Sequence, residues 1–546
     1  MEEAGFINTI PFLFGQTVKK YGKRDAMAFV GENPISYEAV NEKMLSVMAF
    51  LEKNGIAQGD KVSILSTNMP NWGITYFAIV SMGAVVVPIL PDFSPSEIGN
   101  VISHSGARVI FVSSSLLQKL NEIEAPELEI KVLIDDFSLI GNGSPLSYNE
   151  AARPAKKYLI TETSLASIIY TSGTTGKSKG VMLSHKNITF NAIRGGMIHY
   201  MDENDRFLSV LPLSHTYENT LGLILPVLLG SCIFYLRKPP TPAVLLPALQ
   251  EVRPTTMLTV PLIIEKIFFN KILPAFHEKL VIRLLYKIPP LRKLLNRAAG
   301  KKLMKTFGGE LRFFGVGGAK LNKAVEKFLV EAKFPYAIGY GLTETSPLLA
   351  GANPKNTVFE STGPAIKDIE LIIHNPDKVT GEGEIWAKGP NIMMGYYNEP
   401  EMTREVLTPE GWFKTGDLGV LDKNNNLYIR GRLKNMIVGA SGENIYPEEI
   451  ESVINNFRHV VESLVIQQKG KLVALVHINM DELEKKYQNL KAEAHKFDEK
   501  VEENLREIKE YVNSRVNKFS QISKVVLQSV PFQKTATQKI KRFLYK

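Results

Sequence analysis

Residues 168–185 read IIYTSGTTGKSKGVMLSH, and this stretch decides both the fold and the chemistry expected of the chain. It begins as an apolar strand, continues into a loop rich in glycine, serine, threonine and lysine, and ends in a second apolar segment. Exposed backbone N–H groups, hydroxyl donors and cationic side chains are the groups that hold a polyphosphate. The stretch therefore predicts a phosphate-binding loop, with an ordinary surface loop as the alternative.

The loop differs from the Walker A motif of P-loop NTPases. Residues 175–178 read TGKS, but a Walker A motif also requires a glycine five residues before its second glycine. That position is Thr171 in this chain. We therefore expect a phosphate loop of another class.

Length and composition indicate a globular protein with more than one domain. A chain of 546 residues is too long for one hydrophobic core, and 44% apolar with 22% charged residues is ordinary for a soluble protein. The single cysteine, Cys232, excludes an intrachain disulfide, and the opening MEEAGF lacks the basic region of a secretory signal. Residues 221–236 are apolar and uncharged, but Pro226 and Gly230 interrupt them, so they predict a buried helix and strand rather than a membrane span. We expect a cytoplasmic protein.

The net charge of +9 is concentrated in residues 266–305, which contain eleven Lys or Arg and one acid, Glu278. After Pro289 the apolar residues follow helical spacing. They are Leu291, Leu294, Leu295, Ala298, Ala299 and Leu303. One interpretation is a basic amphipathic surface element that meets anionic lipid on the inner face of the membrane, an acidic carrier protein or a polyanionic substrate. The alternative is a core helix with a solvated basic face, and no aromatic-and-basic pattern indicates nucleic-acid binding.

Hydrophobic patterns divide the chain into three parts. Short apolar strands alternate with helical patterns in the first half, which favours parallel sheets covered on both faces. These strands are KVSILS (61–66), AVVVPIL (84–90), ARVIFVS (107–113) and RFLSVL (206–211). Residues 351–430 alternate in the manner of an antiparallel β unit. Beyond Arg432, strands at 464–467 and 472–478 precede a charged helical pattern at 482–513, which predicts a small α+β unit.

Seven further strings follow the phosphate loop along the chain. They are LPLSHTYE (211–218), GVGGAK (315–320), YGLTETSP (340–347), GEIWAKGPNIMMGYY (383–397), GWFKTGDLG (411–419), YIRGRLKNMIVGASGENIYPEEIE (428–451) and KTATQKIKR (534–542). With the loop, they resemble the ordered motifs of the adenylate-forming superfamily, which includes acyl-CoA synthetases, luciferases and the adenylation domains of peptide synthetases. The resemblance covers nearly the whole chain, and a co-linear series is highly specific.

The resemblance implies an α/β fold in two parts. A large N-terminal domain of two α/β/α lobes plus a β-barrel would be followed by a small mobile α+β domain. We expect the N-terminal adenylation domain to cover residues 1–432, with the β-barrel at about 351–430. The C-terminal mobile domain would cover residues 433–546, with a hinge near Lys434.

The same resemblance implies how the phosphates of ATP and a magnesium ion are bound. The loop would grip the phosphates through Thr171, Ser172, Gly173, Thr174, Thr175, Gly176, Lys177 and Lys179. Thr343 would contact the α-phosphate, and Glu344 would bind Mg²⁺, with Thr171 as a second contact to the metal. Ser178 stands where the family usually has proline.

Further residues would bind the nucleoside and act in catalysis. Gly317, Gly318 and Ala319 would form a loop that faces the adenine, with Tyr340 stacking beside it. Further nucleotide contacts would come from Gly341 and Ile429. Asp417 would accept hydrogen bonds from both ribose hydroxyls, with assistance from Arg432. Lys539 would hold the transferring phosphate and the carboxylate oxygen, although Gln538 precedes it where many relatives have glycine. His215 would gate the acyl or thiol tunnel without acting as a general base.

The implied activity is that of an AMP-forming fatty acid–CoA ligase of the long-chain branch. A fatty acid and MgATP would give acyl-adenylate and pyrophosphate, and coenzyme A would then take the acyl group. The alternatives are an acyl carrier protein as the acceptor, an aryl or short-chain acid as the substrate, or a catalytically silent protein that binds lipid or a membrane surface. Members of the long-chain branch often form homodimers, so a homodimer is also expected.

Overall fold

A computed structural model shows how these segments fold, and it describes residues 8–140, 153–172, 178–439, 444–480, 494–535 and 539–545. The chain divides into two compact units. The larger unit contains Met1–Ile372, Trp386–Lys414 and Asp422–Leu427, and the smaller unit contains Ile373–Ile385, Thr415–Leu421 and Tyr428–Lys546. The domain boundary after Arg432 and the hinge at Lys434 stay predictions. Lys434 lies in the short 3-10 helix Leu433–Asn435.

The larger unit is built on two eight-stranded sheets. In spatial order, the first sheet contains Leu348–Gly351, Tyr336–Gly341, Phe313–Val316, Thr256–Thr259, Arg206–Ser209, Cys232–Tyr235, Asp25–Phe29 and Ile35–Ser36. The second contains Gly395–Tyr396, Ser178–Ser184, Leu165–Ser172, Val85–Ile89, Lys61–Leu65, Val109–Val112, Ile130–Leu133 and Ser138–Leu139. All four strands predicted in the first half are present, and they pair in parallel with their neighbours.

Runs of β-branched residues explain why these strands lie at the centre of a sheet. Every residue of strand Val85–Ile89 is buried, and so is every residue of Val109–Val112. A strand that is covered on both faces needs apolar side chains at successive positions, because alternate residues point to opposite layers. The predicted parallel sheets, covered on both faces, are therefore confirmed.

Helices cover the sheets and connect their strands. In the larger unit they are Ile10–Tyr21, Tyr37–Lys53, Pro70–Ser81, Pro95–Ser105, Leu117–Asn121, His185–Gly196, Thr216–Glu218, Leu225–Leu229, Pro242–Val252, Pro261–Ile267, Leu273–His277, Leu280–Tyr286, Pro289–Thr306, Lys323–Ala332 and Pro400–Val406, with π-helical Asn219–Ile224 and Phe268–Ile272. The helix and strand predicted at 221–236 are confirmed. Over the described part of the chain, no helix has the length and hydropathy needed to cross a membrane.

A four-stranded sheet occupies the region predicted to form an antiparallel β unit. In spatial order its strands are Glu370–His374, Gly383–Lys388, Phe413–Leu421 and Leu427–Arg432. The last two strands are joined by a tight turn in which Asp422 N donates a 3.1 Å hydrogen bond to Asn426 O. Only antiparallel neighbours can be joined by so short a connection, so the predicted arrangement is confirmed for this pair.

The C-terminal part of the smaller unit is a sheet packed against helices. Its elements are the paired strands Ile437–Val438 and Asn444–Ile445, helix Pro447–Ile454, strands Val460–Gln468 and Lys471–Ile478, helix Ala494–Asn513 and strand Lys524–Leu527. Val501, Leu505, Ile508 and Val512 are buried together on one face of the long helix. The predicted α+β unit is confirmed in these residues, and predicted helical residues 482–493 lie outside the described ones.

Helix Pro289–Thr306 confirms the helix predicted after Pro289, and one of its glycines permits close packing. Gly300 is buried against helix Lys323–Ala332, where a methyl group at position 300 would lie 2.7 Å from the backbone oxygen of Ala332. Gly15, inside helix Ile10–Tyr21, has no heavy atom within 4 Å of the corresponding position. Substitution of Gly15 by alanine therefore tests helix propensity alone, whereas the same substitution at Gly300 tests propensity and packing together.

We expect Gly300→Ala to lower the thermal unfolding midpoint and Gly15→Ala to raise it. Alanine is favoured over glycine in a helix interior by about 1 kcal/mol, whereas overpacking costs about 1–3 kcal/mol. Both effects apply at Gly300, but only the propensity gain applies at Gly15. Scanning calorimetry of the two variants beside wild type measures the difference. Equal rises in both variants would contradict the close approach of the two helices.

Candidate active site

The predicted phosphate loop joins two antiparallel strands, Leu165–Ser172 and Ser178–Ser184. Thr171 pairs with Lys179 beside the loop. This strand–loop–strand arrangement differs from the strand–loop–helix of a P-loop, which agrees with the missing Walker A glycine. The predicted phosphate ligands Gly173, Thr174, Thr175, Gly176 and Lys177 lie outside the described residues, as does the side chain of Ser172.

A tyrosine links this hairpin to the predicted metal-binding carboxylate. Lys179 Nζ lies 4.8 Å from the centroid of the Tyr396 ring, and the Tyr396 hydroxyl donates a 2.9 Å hydrogen bond to Glu344 Oε1. Strand Gly395–Tyr396 pairs with Val181 and the residue after it, which places the ring beside the lysine. The structure thus brings together Thr171, Lys179 and Glu344, three residues predicted to surround the phosphates.

Two buried asparagines hold the turn Thr343–Thr345, which carries two predicted site residues. Asn391 Nδ2 donates to the backbone oxygens of Thr345 and Leu348, at 2.8 and 3.0 Å. Asn191 Nδ2 donates to the same two oxygens, at 3.2 and 2.8 Å. Because both asparagines are fully buried, these bonds are protected from competition with water. The turn therefore has a fixed backbone path.

The predicted adenine loop follows strand Phe313–Val316. Gly317 packs against Tyr217, and a methyl group at position 317 would lie 3.0 Å from Tyr217 Cε1. Gly318 has a φ of +83°, in the left-handed region that favours glycine. Gly318 and Ala319 are exposed. The loop therefore offers its backbone to a ligand over a supporting aromatic ring.

The neighbouring parallel strand, Tyr336–Gly341, ends in two further predicted nucleotide contacts. Tyr340 is half-buried and packs on the edge of the core. Gly341 cannot be replaced without moving the backbone, because a methyl group there would lie 1.8 Å from Pro347 O. Parallel pairing brings Tyr340 and Gly341 to the same sheet edge as the predicted adenine loop.

His215 is the N-terminal cap of the short helix Thr216–Glu218. Its Nδ1 accepts a 3.3 Å hydrogen bond from Tyr217 N, and the side chain is half-buried. Capping of this kind satisfies a backbone donor that the helix itself leaves unpaired. The role of His215 as a gate stays a prediction.

A small apolar cavity of about 50 Å³ lies beside Tyr217. Its wall includes Ile198, Met201, Phe207, Leu221, Leu225, Leu258, Phe313, Gly315, Ala337 and Leu348. All of its lining residues are uncharged. The uncharged lining suits a hydrocarbon chain. The sequence does not reveal this cavity, because its wall comes from many separate segments.

A buried carboxyl follows Tyr217 in the chain. Glu218 is 1% exposed, and its Oε1 accepts a 2.6 Å hydrogen bond from Ser209 Oγ. Burial raises the pKa of Glu218 to about 8, so the side chain is largely neutral at pH 7. Asn68 donates to the same Ser209 hydroxyl at 3.0 Å and accepts from Leu213 N at 2.9 Å. This network supports the loop of the LPLSHTYE string.

In the smaller unit, Asp417 and Arg432 form an ion pair with a distance of 2.8 Å between Oδ1 and Nε. Asp417 is 5% exposed, and Arg432 Nη1 also donates to Thr415 O at 3.4 Å. Ile429 is half-buried three residues earlier in the strand that contains Arg432. The two predicted ribose-binding side chains therefore lie together, with the guanidinium orienting the carboxylate.

Lys539 is exposed in the C-terminal segment of the smaller unit. Ion pairs anchor this segment on both sides of it. Before Lys539, Lys534 Nζ lies 2.5 Å from Glu462 Oε2, and after it Arg542 pairs with Glu451. The exposed lysine is therefore held on a tethered segment rather than on a loose tail.

Residues 14–397 match the family model described as AMP-binding enzyme. The chain belongs to this family. Long-chain-fatty-acid–CoA ligase ACSBG2 of Gallus gallus is 27% identical over 86% of this chain and 67% of its own. Long-chain-fatty-acid–CoA ligase heimdall of Drosophila melanogaster is 28% identical over 84% of this chain and 74% of its own. The 4-coumarate–CoA ligase CCL1 of Humulus lupulus is 28% identical over 81% and 79%.

Solved structures share the fold of this AMP-binding enzyme. ATP-bound MatB from Rhodopseudomonas palustris superposes with a TM-score of 0.76 and 23% identity, over 98% of both chains. The AMP complex of o-succinylbenzoate coenzyme A synthetase from Bacillus subtilis gives 0.76 and 22%, also over 98% of both. The predicted adenylate-forming superfamily and its fold class are confirmed.

The structure adds residues to the candidate site of this AMP-binding enzyme that sequence reasoning misses. Tyr396 lies inside the quoted string GEIWAKGPNIMMGYY, but nothing in that string distinguishes its role. Asn191 and Asn391 are ordinary polar residues in sequence, and their importance comes from burial and from shared hydrogen-bond acceptors. A doubled tyrosine after a glycine is the one available signal, and it does not indicate which ring contacts Glu344.

We expect Glu218→Gln to reduce the loss of stability that this AMP-binding enzyme suffers as pH rises. Between the ordinary pKa of 4.5 and the folded value of about 8, the unfolded carboxyl ionises while the folded one keeps its proton. Unfolding then releases a proton, so wild-type stability falls with rising pH in this window. Glutamine cannot ionise in either state. The measurement is the unfolding midpoint of both proteins across the window, and parallel pH profiles would contradict the neutral carboxyl.

Proposed function

We propose that this protein is an AMP-forming fatty acid–CoA ligase. A fatty acid and ATP give acyl-adenylate and pyrophosphate, and the thiol of coenzyme A then displaces AMP to form the thioester. The observation that carries the proposal is the apolar cavity beside Tyr217, since its uncharged lining suits an acyl chain and Tyr217 also contacts Gly317 of the predicted adenine loop. The names of its relatives, long-chain-fatty-acid–CoA ligases, support the same substrate class.

Adenylation requires the approach of two anions, the carboxylate and the α-phosphate of ATP. Most of the catalytic work is therefore charge neutralisation and positioning. Thr171 and Lys179 bind the outer phosphates, together with Ser172, Gly173, Thr174, Thr175, Gly176 and Lys177. Thr343 contacts the α-phosphate from the fixed turn. The hairpin thus serves the first half-reaction, in which the outer phosphates leave as pyrophosphate.

The residues also fit a magnesium ion. Among the described residues, no group of three or more His, Cys, Asp or Glu side chains is placed to hold a metal by itself. Mg²⁺ is commonly held by one or two carboxylates, with substrate phosphates and waters as further ligands, and Glu344 with Thr171 suits this role. The Tyr396 hydroxyl fixes the orientation of the Glu344 carboxylate. A bound Mg²⁺ would neutralise charge on the phosphates.

The nucleoside contacts follow from the family resemblance. The adenine lies against Gly317, Gly318 and Ala319, with Tyr340 stacking beside it. Gly341 and Ile429 are further nucleotide contacts. Asp417 accepts hydrogen bonds from both ribose hydroxyls, and Arg432 holds the carboxylate in place. During adenylation Lys539 contacts the α-phosphate and the attacking carboxylate oxygen. Rotation about Lys434 then withdraws it, and His215 admits the thiol.

Two finer assignments compete with this one. An acyl carrier protein is the alternative acceptor, because the cationic residues of 266–305 would suit an acidic partner. An aryl or short-chain acid is the alternative substrate, and the name of the relative CCL1 supports it. A cytoplasmic location at the inner face of the membrane and a homodimer remain part of the proposal.

The decisive experiment measures pyrophosphate release with a panel of acids from acetate to stearate and with coumarate. Each acid is supplied with ATP and magnesium, first with coenzyme A and then with acyl carrier protein. We expect release to depend on a medium- or long-chain acid and thioester to form on coenzyme A. No release with any acid would refute the enzyme proposal, and thioester only on the carrier protein would favour the alternative acceptor.

We expect Lys539→Ala to lower the rate of adenylation about a hundredfold or more, because it removes a cation that stabilises charge in the transition state. Thioester formation from supplied acyl-adenylate should be retained. The matched control is Lys541→Ala, which removes the same charge two residues away. Rapid-quench assays of the two half-reactions give the result, and equal loss in both would rule out alternation about the hinge.

We expect Ala337→Leu to shift substrate preference toward shorter acids. Ala337 lines the cavity and is 3% exposed, so the larger side chain takes space from the ligand. Each methylene that no longer fits forfeits about 0.8 kcal/mol, or about fourfold in kcat/KM. The measurement is kcat/KM across the acid panel. A uniform decrease at every chain length would show that the cavity does not hold the acyl chain.

A further inference from the structure

Helix Leu280–Tyr286 presents apolar side chains to solvent rather than to the core, and none of its residues is buried. The exposed fractions are 67% for Leu280, 67% for Val281, 54% for Leu284, 36% for Leu285 and 47% for Ile288 just beyond the helix. Counted from Leu280, the other four residues lie one, four, five and eight positions further along the chain. This spacing places all five on one side of a helix. In globular proteins the apolar side normally faces the core. We call this set of five residues the outer apolar face.

The opposite side of the helix is anchored, so its orientation is fixed. The Tyr286 ring stacks on Phe276 with 4.7 Å between centroids. The Tyr286 hydroxyl donates a 3.1 Å hydrogen bond to Asn296 Oδ1, and Asn296 is 1% exposed in the following helix. Turning the outer apolar face inward would break both contacts. The exposure therefore belongs to the packed state of the helix.

A row of cations runs beside the outer apolar face. Lys279, Arg283 and Lys287 recur every four residues, and all three are exposed. The next helix adds exposed Lys293 and Arg297. Its Leu294 is 64% exposed, although the sequence pattern placed this residue on the helix's apolar side. In the described part of the chain, Glu278 is the one exposed acid beside this row. The surface thus combines aliphatic side chains with an excess of positive charge.

That combination favours one kind of binding partner over the others. In a twofold dimer of this chain, the same patch would contribute on both sides and bring cations toward cations. Protein interfaces are enriched in aromatic anchors, whereas this face contains only Leu, Val and Ile. An anionic bilayer matches both features, because aliphatic side chains enter the acyl region while Lys and Arg remain among the head groups.

We propose that the outer apolar face and its cationic row dock this protein onto an anionic lipid bilayer. The aliphatic side chains insert at the boundary between head groups and acyl chains, and the cations contact lipid phosphates. Docking does not depend on the proposed ligase activity. Where that activity holds, docking places the protein at the membrane in which long-chain acids partition.

The test measures binding of the full chain to vesicles of phosphatidylcholine, with and without phosphatidylglycerol. Leu280→Ser with Leu284→Ser removes apolar area, and Arg283→Gln with Lys287→Gln removes charge. Matched controls are Leu159→Ser with Val379→Ser, which alter residues 83% and 93% exposed elsewhere, and Lys423→Gln with Lys469→Gln. Unchanged unfolding midpoints establish that all variants remain folded.

We expect wild type to bind the anionic vesicles and to lose affinity steeply with salt. The serine pair should bind at least tenfold more weakly, the glutamine pair should lose most of the salt dependence, and both controls should match wild type. Absence of wild-type binding, or equal binding by the serine pair, overturns the proposal. So does dimerisation or binding to an acidic carrier protein that the serine pair abolishes while vesicle binding is unaffected. Vesicle binding needs no turnover, so its failure is distinct from failure of the ligase proposal.

Discussion

The candidate phosphate site depends on the hydrogen bonds from Asn191 and Asn391 to the turn Thr343–Thr345. Asn191 belongs to helix His185–Gly196, and Asn391 lies shortly before strand Gly395–Tyr396. Both donate to the same two buried backbone oxygens, of Thr345 and Leu348, and leaving such a group without any donor costs about 1–3 kcal/mol. The helix, the turn and the edge strand are thereby fixed together. The predicted metal-binding carboxylate, the tyrosine that contacts it and the hairpin lysine cannot shift independently.

Sheet topology explains why strings far apart in sequence act at one place in the larger unit. Strands Arg206–Ser209, Thr256–Thr259, Phe313–Val316 and Tyr336–Gly341 are successive parallel neighbours. In a parallel sheet the carboxyl ends meet at one edge, where ligands bind in open α/β folds. The LPLSHTYE string, the adenine loop and the YGLTETSP string each follow one of these ends. The order of the strands is therefore what assembles the site.

Sequence reasoning predicts the features whose cause is local. The central strands were predictable because runs such as VVVPI are apolar at every position, and the long C-terminal helix was predictable from its seam of Val501, Leu505, Ile508 and Val512. The site motifs were predictable from resemblance. The cavity, the buried asparagines and the contact of Tyr396 depend on tertiary neighbours. The direction of the outer apolar face could not be predicted, since periodicity shows that a stripe exists but not which way it faces.

Glu218 shows how an apolar cavity and a polar support can coexist. It lies in the chain between Tyr217 and Leu221, which both line the cavity, and its carboxyl is neutral because burial disfavours the charged form. An ionised carboxylate there would be desolvated and would repel an incoming acid of the same charge. The neutral form keeps the bond from Ser209 and leaves the wall uncharged. An acid held neutral in this way costs folding free energy at neutral pH, and such costs are typical of functional sites. The carboxyl beside the cavity is thus kept neutral by its burial. Burial depends on the tertiary fold and cannot be predicted from the local sequence.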